Sequence, residues 1–217
     1  MSQITLVRHG QANTEARDEH SYDKLSELGH QQSAWLGEHL RGSGGTFTRV
    51  YCGTLRRHIE TATSMGFGEN AIQDPRLNEM QYFLLAQLLE EQHGVPVPTV
   101  REEFVYHLPK VLAAWRDNVI EGAPERFSDF ESRVTEALGE IGQGDGPALV
   151  VTSGGLISMV VRQTLQLDVP AMARTALAIM NTSVHRLHVI GDTLSPVLFN
   201  AVPHLERPDR HFAQTHL

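Results

Sequence analysis

Short apolar runs alternate with longer stretches of helical periodicity along this chain. Strands are predicted where apolar runs are bounded by Gly, Pro or charged residues, at residues 3–7, 49–52, 71–73 and 148–152. Helices are predicted where apolar side chains recur at three- and four-residue spacing, at residues 27–40, 55–65 and 154–165. Ser26 and Thr54 are the predicted N-caps of the first two helices.

The middle of the chain, residues 82–141, shows no strand pattern and is predicted to be helical. Helices are expected at residues 84–92, 109–119 and 127–141. The second should open with Pro109 in its first turn, where a missing N–H is tolerated. The first two are expected to form a helical cap, residues 82–125, within a single domain that covers residues 1–217.

The chain is predicted to end in an antiparallel hairpin, with strands at residues 183–190 and 193–199 joined by Gly191-Asp192. A short helix that begins at Pro170 should precede it. Strands that alternate with helices predict a three-layer α/β fold, in which a mostly parallel central sheet is flanked by helices. The hairpin would add an antiparallel edge to that sheet.

Composition narrows the class of protein. The net charge of -8 argues against binding to nucleic acid or to a membrane surface. The sequence contains no run of 18 apolar residues, so no membrane-spanning segment is expected. Cys52 is the only cysteine and cannot form an internal disulfide, and Met1-Ser2-Gln3 lacks the features of a signal peptide. We therefore expect a cytoplasmic protein. The 12 histidines include no HExxH motif and no Cys/His cluster, so no metal site is expected.

Polar residues gather at three predicted strand-to-helix junctions: Arg8-His9-Gly10, Gly53-Thr54-Leu55-Arg56-Arg57 and Thr152-Ser153-Gly154-Gly155. The carboxyl ends of parallel strands meet at one edge of a sheet, where ligands bind. Helix N-termini at that edge offer unpaired N–H groups and a positive dipole end, and the planar fork of arginine matches phosphate oxygens. The sequence therefore predicts a phosphate pocket with a histidine beside it.

The order and spacing of these residues resemble the histidine phosphatase superfamily, also called phosphoglycerate mutase-like. The resemblance rests on Arg8-His9-Gly10, on Leu55-x-Arg57-x-x-x-Thr61-Ala62 and on Leu77-x-Glu79, and it covers most of the chain. Further segments are similar to a phosphatase-type branch: Tyr22-Asp23-x-Leu25-Ser26-x-x-Gly29-x-x-Gln32, Asn181-Thr182-Ser183-Val184 and Pro203-His204-Leu205.

The resemblance implies a metal-independent phosphatase that acts on a small phosphorylated substrate without a cofactor. His9 would attack phosphorus and become a phosphohistidine, which its neutral imidazole form permits near neutral pH. Arg8 and Arg57 would bind the phosphoryl oxygens, and Glu79 would serve as general acid and then as general base. Asn13, in the loop after the first strand, is a further candidate phosphate contact.

One junction departs from the family pattern. The family usually has a second histidine in a His-Gly pair after the fourth strand, where this chain has Ser153-Gly154. A serine can still donate one hydrogen bond, although a neutral donor contributes roughly half as much as a charge-assisted one. Ser153 and Gly154 are therefore candidate phosphate-binding residues, and His204 is a possible substitute for the second histidine. Three residues of the second helix are interpreted as ordinary helix-surface residues: Arg56, His58 and Glu60.

Two alternative functions stay open. A phosphoglycerate mutase would use the same histidine, but mutases usually show Arg-His-Gly-Glu-Ser and, after the acid, Arg-x-Tyr-Gly. This chain instead has Gln11-Ala12 after its Arg-His-Gly, and Gln81-Tyr82-Phe83 in the later segment. A phosphate-binding pseudoenzyme is the other alternative, and the serine at position 153 is its main support. The oligomeric state and the identity of the substrate stay open as well.

Overall fold

Six strands form one mixed sheet at the centre of the computed structural model, which describes residues 3–191 and 193–216. Along the chain the strands are β1 (Gln3–Arg8), β2 (Arg49–Cys52), β3 (Ala71–Gln73), β4 (Ala148–Thr152), β5 (Val184–Ile190) and β6 (Thr193–Ala201). Their spatial order is β3-β2-β4-β1-β5-β6. The first four strands run parallel to one another, whereas β5 is antiparallel to both β1 and β6. The predicted α/β fold with an antiparallel edge is confirmed.

Helices cover both faces of this sheet. They are α1 (Glu19–Tyr22), α2 (Glu27–Gly42), α3 (Arg56–Ser64), α4 (Tyr82–His93), α5 (Arg101–Arg116), α6 (Phe127–Gln143), α7 (Gly154–Leu165) and α8 (Val169–Ala178). Single 3-10 turns occupy Gly68–Asn70, Pro75–Leu77 and Pro203–Leu205, and a longer 3-10 segment occupies Pro208–Ala213. Within the described residues, no helix has the length and hydropathy that crossing a membrane requires.

Side chains of the central strands alternate between two hydrophobic clusters, as the geometry of a strand requires. Ile4 and Leu6 of β1 join the cluster that contains buried residues of α4 to α8. Val7 belongs to the other cluster, which α2 and α3 cover with residues such as Leu36 and Ala62. Burial of both faces explains why β1 and β4 read as continuous apolar runs rather than as alternating strands.

The predicted start of α5 at Pro109 is wrong, because α5 begins at Arg101 and Pro109 lies inside it. The loss of one backbone hydrogen bond is offset by packing that continues across the proline. Apolar residues on both sides of Pro109 recur at helical spacing and belong to, or pack against, the same core cluster: Phe104, Leu108, Val111, Leu112 and Trp115. Tertiary packing therefore overrides the local proline signal.

Other boundaries differ less. The polar composition of residues 8–24 predicts one long loop, but the segment contains the single-turn helix α1. The helix predicted at Pro170 begins one residue earlier, at Val169, with Asp168 as its N-cap. Of the hairpin turn, Gly191 has a positive φ, whereas Asp192 lies outside the described residues, as do Met1, Ser2 and Leu217. Helices α4 and α5 occupy most of the segment predicted to be the helical cap, residues 82–125.

Two glycines allow the loop after β1 to lie directly against α2. A Cβ on Gly29 would lie 2.1 Å from the carbonyl oxygen of Gln11, and a Cβ on Gly10 would lie 2.4 Å from that of Gly29. Both distances are far shorter than a carbon and an oxygen tolerate. The contact fixes the backbone next to His9 against a rigid helix.

Gly29→Ala should therefore destabilise the protein by about 1–3 kcal/mol, the usual cost of an added methyl group that forces backbone apart. Gly139→Ala is the matched control, because Gly139 also lies within a helix but a Cβ there meets nothing within 4 Å. That control should be stabilised by about 0.5–1 kcal/mol, since alanine is the better helix former. Urea unfolding measures both free energies, and equal effects of the two substitutions would contradict the close approach.

Candidate active site

A cavity of about 400 Å³ opens where the carboxyl ends of β1 and β4 meet the N-termini of α3 and α7. The residues of its floor come from the three junctions and from the segment after Leu77: Arg8, His9, Arg57, Glu79, Gly154 and Gly155. Its outer wall is largely apolar and aromatic: Tyr22, Tyr82, Phe83, Val97, Val100, Phe104 and Leu108. The structure therefore brings residues from distant parts of the chain to one place, as the junctions predicted.

His9 lies at the centre of this floor with only 2% of its surface exposed. Its Nδ1 is 2.7 Å from the carbonyl oxygen of Gly10. Because a carbonyl oxygen can only accept, Nδ1 carries the proton in the neutral ring and Nε2 keeps the lone pair. Burial lowers the pKa of His9 well below its usual value, and the charges of Arg57 and Arg8 lower it further. The imidazole is thus held neutral with Nε2 as its nucleophilic atom.

Both arginines of the floor are buried and held by protein oxygen atoms on one side. The Nη1 of Arg8 donates to the carbonyl oxygens of Ile179 and His216, the latter at 2.7 Å. The Nη1 of Arg57 donates to Asp23 at 3.0 Å, and its guanidinium lies over the ring of Tyr22. The Nε of each arginine is buried without a hydrogen-bond partner among the described residues. Two fixed cations at a cavity floor form an anion site.

Asp23 organises the start of α3. Its carboxylate accepts the backbone N–H groups of Arg56 and Arg57 at 2.9 and 3.1 Å, in addition to the guanidinium of Arg57. The prediction that Thr54 caps this helix is wrong: the N-cap residue is Leu55, and Thr54 is bonded to Asn78 instead. A carboxylate from a distant loop therefore caps the helix and orients the arginine at once.

Glu79 sits against the N-terminus of α7. Its Oε2 accepts the N–H of Gly155 at 2.7 Å, and its Oε1 accepts the N–H of Met80 at 3.0 Å. A Cβ on Gly155 would lie 2.3 Å from Oε1, so the close approach depends on a glycine there. These contacts hold the carboxylate at the cavity floor, where a general acid for a phosphate ester must lie.

A second carboxyl group, that of Glu19, also lines the cavity, and it was not predicted because it lies in a polar segment without helical periodicity. It lies on α1 and accepts the N–H of Phe83 at 2.9 Å, which links α1 to the start of α4. Burial raises the pKa of Glu19. A second carboxyl group therefore lines the cavity, close enough to Arg57 for the charge of that arginine to act on it.

Two further candidates occupy less direct positions. Asn13 lines the cavity, but both ends of its amide are bonded within its own loop, to the carbonyl oxygen of Ser21 and to the N–H of Glu15. His204 is buried outside the cavity lining, and its Nε2 is 2.8 Å from the hydroxyl of Thr182. This position gives no support to His204 as a substitute for the second histidine.

The interpretation of His58 as a helix-surface residue is wrong. The ring is fully buried, its centroid lies 5.8 Å from that of His9, and its Nε2 is 2.6 Å from the hydroxyl of Ser153. A signal for this burial was present in the sequence, because His58 precedes the apolar residue Ala62 by four positions and therefore shares its helix face. Arg56 and Glu60 behave as expected and pair with each other near the surface.

The family model of the histidine phosphatase superfamily (branch 1) matches residues 4–202, and the chain belongs to this superfamily. It is 28% identical over 202 residues to the probable phosphoglycerate mutase GpmB of Erwinia tasmaniensis, covering 86% of this chain and 85% of that protein.

Solved structures share the fold. Phosphoserine phosphatase from Entamoeba histolytica has a TM-score of 0.71 at 16% identity, over 94% of this chain and 100% of that one. Phosphoglycerate mutase from Bacillus anthracis has a TM-score of 0.68 at 21% identity, over 94% of each chain. Phosphatases and mutases thus both occur among the proteins that this chain resembles.

The burial of His9 leads to a titration prediction. Because its folded-state pKa is lowered, the imidazole should stay neutral as the pH falls through about 6.5, where a free histidine becomes protonated. NMR titration of the histidine rings from pH 7.5 to 5.5, with His9→Gln to assign the signal, measures this directly. A His9 signal that titrates with a pKa near 6.5 would contradict the neutral nucleophile.

Proposed function

We propose that this protein is a metal-independent phosphatase that hydrolyses a small phosphomonoester through a phosphohistidine at His9. The observation that carries the proposal is a buried imidazole, fixed in the tautomer with a free Nε2, beside two arginines that line the same cavity. A neutral nucleophile next to a cationic oxygen-binding site is what transfer of a phosphoryl group requires.

The reaction follows from these positions. Nε2 of His9 forms a bond to phosphorus while the bond from phosphorus to the leaving oxygen breaks, and Glu79 gives that oxygen a proton. Arg8 and Arg57 neutralise the charge on the phosphoryl oxygens. Water then forms a bond to phosphorus and gives a proton to Glu79, the N–P bond breaks, and phosphate leaves with His9 neutral again.

The cavity wall favours a phosphatase over a mutase. Of the described residues that line the cavity, two carry a positively charged side chain, Arg8 and Arg57, and both lie at the end where the phosphoryl group would bind. A phosphoglycerate also carries a carboxylate, which would face aromatic side chains and the carboxylate of Glu19. Burying an unpaired negative charge in such surroundings is costly. An ester whose alcohol is uncharged and apolar or aromatic fits this wall better.

Steady-state assays with 4-nitrophenyl phosphate and 3-phosphoglycerate, both in the presence of a chelator, test the proposal. We expect the kcat/KM for release of phosphate from the aryl ester to exceed that from 3-phosphoglycerate by at least tenfold, and His9→Ala to abolish turnover. Arg57→Ala should lower kcat by about 10²–10³, the usual cost of losing one donor to the transition state. Arg56→Ala, on the same helix but exposed, is the matched control and should leave kcat unchanged.

Three outcomes would contradict the proposal in different ways. Faster conversion of 3-phosphoglycerate to its isomer than release of phosphate would establish a mutase, the function in the name of the Erwinia tasmaniensis relative. Tight binding of the aryl phosphate with no turnover by the wild-type protein would favour a phosphate-binding pseudoenzyme. Loss of activity on chelation would contradict metal independence.

A further inference from the structure

Ser153 occupies the N-cap position of α7, but its side chain does not cap the helix. At the N-caps of α2 and α8, by contrast, the side chains of Ser26 and Asp168 accept backbone N–H groups of the first turn. The hydroxyl of Ser153 instead lies 2.6 Å from Nε2 of His58, with which it forms a hydrogen bond. The serine at the N-cap position of α7 therefore bonds to an imidazole of α3 and not to the first turn of its own helix.

His58 has no evident structural reason to be polar. Its ring is fully buried, and its Nδ1 has no hydrogen-bond partner among the described residues. A buried polar atom that lacks a partner costs about 1–3 kcal/mol, so such groups in a native protein call for an explanation. Sites of function are where proteins carry costs of this kind. The explanation here lies in the neighbours of the ring, His9 and Ser153.

The unpaired nitrogen fixes the direction of the bond to Ser153. A buried N–H without an acceptor is rarer and more costly than a bare ring nitrogen, so Nδ1 is the unprotonated atom and Nε2 carries the hydrogen. Nε2 of His58 therefore donates to the Ser153 hydroxyl oxygen. The hydroxyl acts as acceptor in this bond and keeps its own proton available for a different acceptor.

The available proton lies next to the phosphate site. Ser153 is itself buried, with 1% of its surface exposed, and is not among the described residues that line the cavity, but it directly precedes Gly154 and Gly155, which form part of the cavity floor. The N–H of His9 donates to the carbonyl oxygen of Thr152 at 2.9 Å, which joins the end of β1 to the residue before Ser153. Burial and the charge of Arg57 keep the pKa of His58 well below its usual value, so the ring adds a dipole here but no charge.

Resting on the proposed phosphatase function, we infer that His58 and Ser153 form one unit, in which the ring directs the serine hydroxyl toward the phosphoryl group in transfer. Ser153 is the catalytic residue of the pair, because its proton is donated to a phosphoryl oxygen. His58 is a positioning residue that acts through Ser153. The unit provides a hydrogen-bond donor at the end of β4, where the family usually places its second histidine.

A double-mutant cycle tests the unit, with 4-nitrophenyl phosphate as the substrate and His58→Leu, Ser153→Ala and their combination as the variants. Each single substitution should lower kcat by about tenfold to a hundredfold with little change in KM, because the bond forms only in the transition state. The double variant should be no slower than the slower single variant, since both substitutions remove the same donor. His58→Gln, whose amide N–H can also reach Ser153, should recover most of the kcat.

A merely structural role would give a different pattern. The losses in kcat would multiply in the double variant, or His58→Leu would stay within about twofold of the wild-type rate, and either result overturns the inference. Urea unfolding of every variant verifies that it is folded.

Should His58→Leu not fold, His58→Asn replaces it in the cycle, because its shorter amide does not reach Ser153. Wild-type turnover separates the two proposals: an inactive wild type removes the phosphatase, whereas an active wild type with an unaffected His58→Leu removes only the unit.

Discussion

The structure depends on keeping one imidazole neutral in a place built to hold negative charge. His9 is buried between two guanidinium groups, and both burial and those charges lower its pKa. The arginines therefore have two effects. In the proposed reaction they bind the phosphoryl oxygens, and they also keep the attacking nitrogen of His9 unprotonated. The bond from Nδ1 to the carbonyl oxygen of Gly10 completes the arrangement, because it leaves the lone pair on Nε2.

The rest of the scaffold serves to hold these groups still. Each arginine is anchored by oxygen atoms from a distant part of the chain: Arg8 by carbonyls near residues 179 and 216, and Arg57 by Asp23. Glu79 is held by backbone N–H groups, one of them from the start of α7. Most of these anchors are backbone atoms, and two of them lie at helix ends: Ile179 directly after α8 and Gly155 in the first turn of α7. The backbone of the fold therefore holds the site in place.

Local patterns predicted the strands, most helices and the floor residues at the strand-to-helix junctions, because hydrophobic periodicity and junction chemistry are local. Glu79 was predicted only from the family resemblance. What could not be predicted depends on contacts across the chain. Asp23 caps α3 from another loop, the helix with Pro109 in its interior is maintained by its packed face, and His58 meets Ser153 across 95 positions. The sequence shows that Ser153 replaces the usual second histidine, but it does not show that His58 lies within hydrogen-bond distance of Ser153.

The central claim is that a phosphoryl group resides on His9 during turnover. Rapid quenching into alkali during hydrolysis of an aryl phosphate, followed by peptide mass spectrometry, measures this directly, because a phosphohistidine survives base and is lost in acid. The account predicts a phosphate on the peptide that contains His9, absent from His9→Ala and discharged once substrate is exhausted. Full turnover with no phosphate on that peptide at any quench time would contradict it.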